Sequence, residues 1–245
     1  MFRHLLFSLA TLLLLSSTAL AAEKLVVASD TVWPPMELLD DQKNVVGYST
    51  DYLKAVAKEA GLEVEFRSIA WDGIFAGLAA KQYDIIASSV TITPERQKVY
   101  DFSVPYYNVR QAIVVPKNAA CPDLAALKGK NVGGQIGTTG LMVVQKANVG
   151  AVIREYEDVG LAMQDLASGR LDAVVCDDPV ALYYANQKAD FANKLKVAFK
   201  TGDTEEYGFV VSKGRKDLVD KLNKGIAAVK AKGLDKPIIK KWLGE

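Results

Sequence analysis

The sequence predicts an α/β fold built from two similar lobes that face each other across a cleft. Short β-branched apolar runs alternate with segments of helical periodicity along most of the chain, a rhythm typical of parallel βαβ units. In addition, the residues at 78–87 align without gaps to those at 166–175, and each segment combines a helix end, a turn, an aspartate and a buried strand. The alternation predicts the fold class, and the repeat predicts the two lobes.

Local patterns predict the individual elements. In the first half the expected segments are, in order, a strand at 25–28, a helix at 52–60 that Gly61 terminates, a strand at 64–66, a helix at 74–79 and a strand at 85–87. In the second half they are a strand at 131–133, a helix at 139–148, a strand at 152–153, a helix at 159–168 and a strand at 173–175. Ser49 is expected to act as the N-cap of the helix that follows Gly47.

The residues at 1–21 have the features of a secretory signal peptide. A short basic start precedes an apolar run at 5–15 that is too short to span a bilayer comfortably, and Ala19-Leu20-Ala21 supplies a small-residue cleavage site. No cysteine stands at that site to carry a lipid anchor. A soluble protein in the periplasm of a two-membrane bacterium is therefore expected.

Composition excludes several classes of function. The 245 residues include 30 basic and 29 acidic side chains, and Arg3 is the only charged residue of the predicted signal peptide, so the mature chain has no net charge. Nucleic acid and anionic membranes are therefore not expected as partners. The single histidine is His4, which excludes His-dependent nucleophilic catalysis and His-ligated metals in the mature chain. We expect no metal, no cofactor and no catalytic residue.

Two cysteines, Cys121 and Cys176, leave two possibilities open. An oxidising compartment permits a disulfide between them. The alternative is a loop thiol at Cys121 and a buried small apolar residue at Cys176. Spacing alone does not decide, because a disulfide needs Cα atoms within about 7 Å of each other.

Polar residues follow the two repeated strands. Ser88 and Ser89 come directly after the first, and Asp177 and Asp178 follow Cys176 after the second. Ligands of open α/β sheets bind outside the carboxyl ends of the strands, so both strand ends are candidate walls of one site. The alternative is that these residues only cap the helices that follow.

The mature chain resembles the polar amino acid-binding proteins of ABC importers, the family that includes glutamine- and histidine-binding proteins. The resemblance rests on motifs that occur in the family's order along the chain: LVVASD at 25–30, WPP at 33–35, VGY at 46–48, IAWDG at 69–73, DIIASSVTITPER at 84–96, DFS at 101–103, YY at 106–107, GTTG at 137–140, CD at 176–177, YG at 207–208 and IKKWLG at 239–244. It implies the type II periplasmic binding protein fold, in which two lobes joined by a two-strand hinge enclose the ligand.

The resemblance also implies which residues bind the backbone of an amino acid. Arg96 would hold the α-carboxylate with its guanidinium group, helped by Thr91 and by the turn at 137–139, which contains Thr138 and Thr139. Asp177 would accept hydrogen bonds from the α-ammonium, with Ser89 as a second acceptor. For Arg96, the alternative is a surface ion pair with Glu95.

Other matching positions concern the ligand's side chain. Trp33 and Trp71 would place aromatic rings against it, and Asp30 would lie near its tip, which suits a guanidinium or ammonium group. The serines at 88–89 and the threonines at 138–139 also favour a basic amino acid, and Gln135 and Cys176 differ from the glutamine-type pattern. Arginine, lysine, ornithine or histidine is expected, and glutamine or another amino acid is the alternative.

The resemblance implies a division into lobes and a partner. The first lobe would comprise 22–109 and 207–245, and the second would be inserted as 110–206. A monomer would close around its ligand and be recognised by the permease of the transporter in the inner membrane. A different class, periplasmic dehydratases that act on cyclohexadienyl acids, uses the same fold, and Glu205, Glu206 or Asp178 would be its candidate acid.

Overall fold

The computed structural model describes residues 24–244, so the predicted signal peptide at 1–21 lies outside the described residues. The strands, in chain order, are β1 (Lys24–Ser29), β2 (Val32–Trp33), β3 (Glu37–Leu39), β4 (Val45–Val46), β5 (Glu63–Ser68), β6 (Ile85–Ile86), β7 (Tyr100–Phe102), β8 (Tyr107–Pro116), β9 (Asn131–Gln135), β10 (Val152–Tyr156), β11 (Ala173–Asp177), β12 (Leu195–Tyr207) and β13 (Val210–Ser212). The α-helices are α1 (Tyr48–Ala60), α2 (Trp71–Ala79), α3 (Pro94–Val99), α4 (Thr139–Ala147), α5 (Val159–Ala167), α6 (Asp178–Leu182), α7 (Ala189–Ala192), α8 (Lys216–Ala231) and α9 (Asp235–Leu243). A 3₁₀ turn covers Leu124–Leu127, and a π-helical turn covers Tyr183–Gln187.

Two five-stranded sheets have the same arrangement. The first has the order β5-β1-β6-β13-β7 and the second the order β10-β9-β11-β8-β12. In each sheet the three strands of the βαβ units are parallel, as the alternating pattern predicts. The remaining strands are antiparallel, which the pattern did not indicate. We call the first sheet with α1–α3, α8, α9 and the small sheet β2-β3-β4 the first lobe, and the second sheet with α4–α7 the second lobe.

The internal repeat has a structural counterpart. Asp84, before β6, donates its backbone N–H to Val26 O at 2.8 Å, and its carboxylate Oδ2 accepts the Val26 N–H at 2.8 Å. Asp172, before β11, makes the equivalent pair with Asn131, at 2.9 and 2.8 Å. Asp84 therefore aligns β6 with its neighbour β1, and Asp172 aligns β11 with its neighbour β9.

The core is continuous where the chain passes between the lobes. The long antiparallel strands β8 and β12 pair from Tyr107 opposite Tyr207 to Pro116 opposite Leu195. Beside their shared end, Tyr106 stacks on Phe209 with ring centroids 4.4 Å apart. The predicted lobe boundaries, at 109/110 and 206/207, fall inside β8 and β12 and stay a prediction.

The structure corrects two local expectations and decides between the two alternatives for the cysteines. The strands β9 and β11 continue to Gln135 and Asp177, so two candidate site residues end strands instead of following them. Helix α1 begins at Tyr48 after Gly47, and Ser49 lies inside it without capping it, because its hydroxyl takes part in a buried network. Cys121 and Cys176 are both free thiols, with Cys176 buried, so the unpaired alternative holds.

Candidate functional site

Every one of the predicted site residues lines a single cavity between the lobes. The first lobe contributes residues that follow β1 and β6, end β2 or lie in the first turn of α2 and α3: Asp30, Trp33, Trp71, Ser88, Ser89, Thr91 and Arg96. The second lobe contributes residues at the ends of β9 and β11 and at the start of α4: Gln135, Thr138, Thr139 and Asp177. The shared position follows from the sheets, because the carboxyl ends of the parallel strands in both lobes face the same cleft. That these residues contact a ligand stays a prediction.

Arg96 brings a partly buried positive charge to the cavity. Short helix α3 begins with Pro94 at its first turn, and the Thr93 side chain accepts the Arg96 backbone N–H at 3.2 Å. The guanidinium donates from Nη1 to Thr91 O at 2.8 Å and from Nη2 to Gly137 O at 3.2 Å. Its Cζ also lies 5.5 Å from the Trp71 ring centroid. Two carbonyls and a ring thus fix the guanidinium plane.

No carboxylate neutralises Arg96 directly. Among residues 24–244 it forms no ion pair within 4.0 Å, and the surface pair with Glu95 considered from the sequence is not formed. Burial lowers the pKa of Arg96 below its ordinary value, while Asp177 and Glu205 oppose that shift. The guanidinium retains N–H donors and a charge for an anionic group, the arrangement that binds a carboxylate.

Asp177 is a buried acceptor on the opposite lobe. Its carboxylate receives hydrogen bonds from Gln111 Nε2 at 2.6 Å, from Trp33 Nε1 at 3.2 Å and from the Tyr207 hydroxyl. Burial raises its pKa to about 6 in spite of these donors. All three donors are neutral, so the negative charge is solvated but not cancelled. A cationic group in the cavity would stabilise it.

Asp30 is a second unneutralised carboxylate. It follows β1, and its backbone N–H donates to Ser88 Oγ at 2.9 Å. The side chain accepts from Gln135 Nε2 at 2.9 Å, a bond that crosses from the second lobe to the first. Burial raises the pKa of Asp30 to about 6. Trp33, which is 5 % exposed, and the half-buried Trp71 line the cavity together with it.

Glu205 joins the lobes from strand β12. Its Oε2 accepts hydrogen bonds from Thr139 Oγ1 at 2.7 Å, Thr91 Oγ1 at 3.1 Å and Gln111 Nε2 at 3.2 Å. Thr91 belongs to the first lobe and Thr139 to the second, so one carboxylate oxygen links both walls of the cavity. The sequence suggested Glu205 only as a candidate acid of an enzyme, not as a link between lobes.

Three further residues of the site were not found from the sequence: Glu37, Gln111 and Tyr207. Gln111 and Glu37 did carry a signal, since each is a polar residue inside an apolar strand, and both are completely buried. A buried polar side chain in a strand needs a hydrogen-bonding partner, and here the partners line the cavity. Tyr207 was recognised only as part of a motif, although its hydroxyl donates to Asp177.

The chain matches the model of the bacterial extracellular solute-binding proteins, family 3, over residues 25–245. It is 33% identical over 229 residues to the ABC transporter arginine-binding protein 1 of Escherichia coli, covering 91% of this chain and 92% of that one. It is 32% identical over 222 residues to the L-cystine-binding protein of the same species, covering 90% of this chain and 82% of that one.

A solved structure of an arginine-, lysine- and histidine-binding protein from Geobacillus stearothermophilus has a TM-score of 0.85 and 35% sequence identity, covering 91% of this chain and 96% of that one. These relatives are binding proteins, and the two-lobe fold is shared with them. Within the described residues, no helix is long and apolar enough to cross a membrane. From the family model and the extent of these matches, this chain belongs to the bacterial extracellular solute-binding proteins, family 3.

Proposed function

We propose that this protein captures a basic L-amino acid in the periplasm and delivers it to the permease of an ABC importer. The α-carboxylate binds Arg96, and the α-ammonium binds Asp177 with Ser89 as a further acceptor. The ligand's side-chain cation lies against Trp33 and Trp71 with Asp30 near its tip. The single observation that carries this proposal is the unbalanced charge of the cavity lining.

That lining contains one guanidinium and two aspartates, and the Glu205 carboxyl is hydrogen-bonded to the lining residues Thr91 and Thr139, so acidic groups outnumber the basic one. A zwitterionic amino acid would satisfy Arg96 and one aspartate and leave the other aspartate without a counter-charge. A ligand with an additional cation gives both aspartates of the lining a counter-charge. Because an unpaired buried charge is costly, this count favours a basic ligand.

The relatives support both the basic ligand and its alternatives. Two of the proteins compared are named for arginine or for arginine, lysine and histidine, and one is named for cystine. Glutamine, the alternative expected from the sequence, would place a neutral amide beside Asp30. It would be accepted best when that carboxyl is protonated.

Delivery to a permease requires two distinguishable states of the protein. The cavity wall is supplied by both lobes of one chain, so a ligand that bridges Arg96 and Asp177 favours the closed state over the open one. A monomer is sufficient for this, since no second copy is needed to complete the lining. We propose that the permease recognises the closed form.

A thermal-shift and calorimetric panel tests the proposal. The mature protein is unfolded and refolded to remove carried-over ligand, then titrated with arginine, lysine, ornithine, histidine, glutamine, cystine and prephenate. Saturation at about 1,000 times Kd adds about 4 kcal/mol, which corresponds to a rise in Tm of about 8–16 °C for a domain of this size. We expect such a rise with the basic amino acids.

The remaining outcomes would each overturn a different part of the proposal. A response confined to glutamine or cystine keeps the binding function and overturns the basic ligand. If no amino acid raises the Tm and prephenate is converted to a decarboxylated and dehydrated product, the binding function is wrong and the protein belongs to the dehydratase class.

A further inference from the structure

Another buried carboxyl group, that of Glu37, lies behind the proposed ammonium subsite and does not line the cavity. It begins β3, pairs with Trp33 in β2 and is 0% exposed. Ser89, which does line the cavity, places its Oγ 2.9 Å from Glu37 Oε1 and 3.0 Å from Oε2. Ser89 has a φ of 48°, in the left-handed region that non-glycine residues rarely adopt. The chain thus holds this hydroxyl between a buried carboxyl and the cavity.

The surroundings of Glu37 contain hydroxyls and other acids. Ser49 on α1 places its Oγ 3.4 Å from Ser89 Oγ, and the Tyr106 hydroxyl donates to Ser49 Oγ at 3.0 Å. The other titratable groups that face it are the carboxyls of Asp30 and Asp177 and the phenols of Tyr106 and Tyr207. Among residues 24–244 no lysine or arginine lies within 4.0 Å of its carboxyl.

These contacts favour a neutral Glu37 when the cavity holds no cation. A buried carboxylate without a positive partner is costly, and two further carboxyls nearby increase the cost. Burial accordingly raises the pKa of Glu37 well above its ordinary value, in spite of the hydrogen bonds from Ser49 and Ser89. The charge of an arriving ammonium group acts in the opposite direction.

The proton on Glu37 also decides which way the Ser89 hydroxyl points, because that hydroxyl has a single hydrogen. When Glu37 is ionised, Ser89 donates to it and presents only lone pairs to the cavity. When Glu37 is neutral, its own O–H can donate to Ser89 Oγ, and the Ser89 hydrogen is then available to the cavity. With Glu37 ionised, Ser89 Oγ can accept a hydrogen bond from an ammonium group. With Glu37 neutral, the Ser89 hydrogen points into the cavity and repels an ammonium group.

We propose that Glu37 is a specificity-determining residue of the ammonium subsite, which loses its proton to solvent when a ligand ammonium binds at Ser89 and thereby holds Ser89 as an acceptor. Glu37 acts through Ser89 and is a positioning residue. This inference rests on the proposed function, because the ammonium group belongs to the amino acid. The ligand ammonium keeps its own protons, and the released proton comes from the Glu37 carboxyl.

Calorimetry in buffers of different ionisation enthalpy measures the protons released for each ligand bound. At about pH 8 a carboxyl with a pKa of about 6, as in Asp30 and Asp177, is already ionised to about 99%. Proton release at that pH therefore reports on Glu37. We expect net proton release in the wild-type protein and close to none in Glu37→Gln, while Glu63→Gln, at an exposed position, behaves as the wild type.

A second measurement needs no variant at position 37, where substitution of a buried group can prevent folding. The wild-type protein is titrated with an analogue of the bound amino acid in which hydrogen replaces the α-amino group. We expect binding of this analogue to release no proton at about pH 8, since nothing cationic reaches Ser89. Equal proton release by the amino acid and the analogue, or by the wild type and Glu37→Gln, overturns the inference.

These outcomes separate the two claims. Binding of an amino acid with no proton release attributable to Glu37 overturns the role of Glu37 and leaves the proposed function intact. Failure of every amino acid to bind overturns the proposed function, and the role of Glu37 with it.

Discussion

The Gln135 side chain of the second lobe donates its amide N–H to Asp30 of the first lobe, with Nε2 2.9 Å from Oδ2. The same nitrogen donates to Glu157 O at 2.8 Å. Both partners are acceptors, so the amide nitrogen and not its oxygen must face them. Gln135 thus holds Asp30 in place across the cleft but supplies no charge to neutralise it. Under the proposed function, this contact would join closure of the lobes to the selection of a ligand cation.

Asp30→Asn should reduce the preference for a basic ligand. The amide keeps the size of the side chain and an oxygen that can accept from Gln135, but it removes the charge that pairs with the ligand cation. We expect arginine or lysine binding to weaken by about 10- to 100-fold, the usual value of a charge-assisted hydrogen bond. Calorimetric Kd values for arginine and glutamine measure the effect, and glutamine binding should change much less. Asp41→Asn, at an exposed position, is the matched control. An equal loss for both ligands would contradict the assigned role of Asp30.

Arg96→Lys should weaken binding of every amino acid, whatever its side chain. Lysine keeps the charge but loses the planar fork that contacts Thr91 O and Gly137 O and the ring contact with Trp71. We expect at least a 10-fold increase in Kd, corresponding to about 1.4 kcal/mol or more. Arg67→Lys, at an exposed position of β5, provides a matched control because within residues 24–244 the Arg67 side chain forms an ion pair with Glu65 and none with another residue. Unchanged Kd values for arginine and glutamine alike would exclude Arg96 from the carboxylate subsite.

Acid should stabilise the empty protein but change the stability of the arginine-saturated protein little, because the loss of ligand affinity offsets the gain. Burial raises the pKa values of Asp30 and Asp177 from 3.8 to about 6, so the folded protein without ligand binds protons more readily than the unfolded chain. The stability from these two groups is fully present below about pH 3.8 and is lost as the pH rises through about 6. Lowering the pH from about 7 to about 5 should therefore add about 1 kcal/mol for each group to the free energy of unfolding.

A cationic ligand requires both aspartates to be ionised, so its affinity should fall over the same pH range by about 10-fold for each group. The measurement is the Tm at about pH 5 and pH 7, with and without saturating arginine. Asp30→Asn should remove about half of each pH effect if the two groups contribute alike. An affinity for arginine that does not change between these pH values would show that neither carboxylate faces the cation.

Asp84→Ala and Asp172→Ala should destabilise the two lobes alike. Each aspartate accepts a strand N–H, from Val26 in one lobe and Asn131 in the other, at 2.8 Å. Loss of the acceptor leaves that donor unpaired and should cost about 1–3 kcal/mol. The two sites lie in different sheets and share no partner, so the losses in a double variant should add to within about 0.5 kcal/mol. Urea unfolding of the single and double variants checks this, and a double variant no less stable than either single one would contradict it.

The sequence by itself determined the alternation of strands and helices and the repeat that organises the two lobes, because local periodicity reports which face of an element is buried. The ends of the repeated strands indicated Ser88, Ser89 and Asp177, because the carboxyl ends of parallel strands meet at one edge. The other residues that line the cavity were expected only from the resemblance to a known family. Asp30, Ser89, Gln135 and Asp177 all stand at or just after such strand ends. Their shared location at the cleft follows from the order of elements, but Asp30 and Gln135 were expected to face a ligand only from the resemblance.

Only the tertiary structure decided which hydrogen-bonding partners and which charges surround those groups. Glu37 and Ser89 are separated by 52 positions and Gln111 and Asp177 by 66, so no local pattern connects them. The residues next to Ser49 are compatible with a helix N-cap, but the Ser49 hydroxyl instead accepts a buried hydrogen bond from the Tyr106 hydroxyl. Whether a carboxyl is charged, paired or neutral depends on burial and on which groups the fold brings near it. Neither of these is a property of adjacent residues, and both appear only when the chain folds and brings distant segments together.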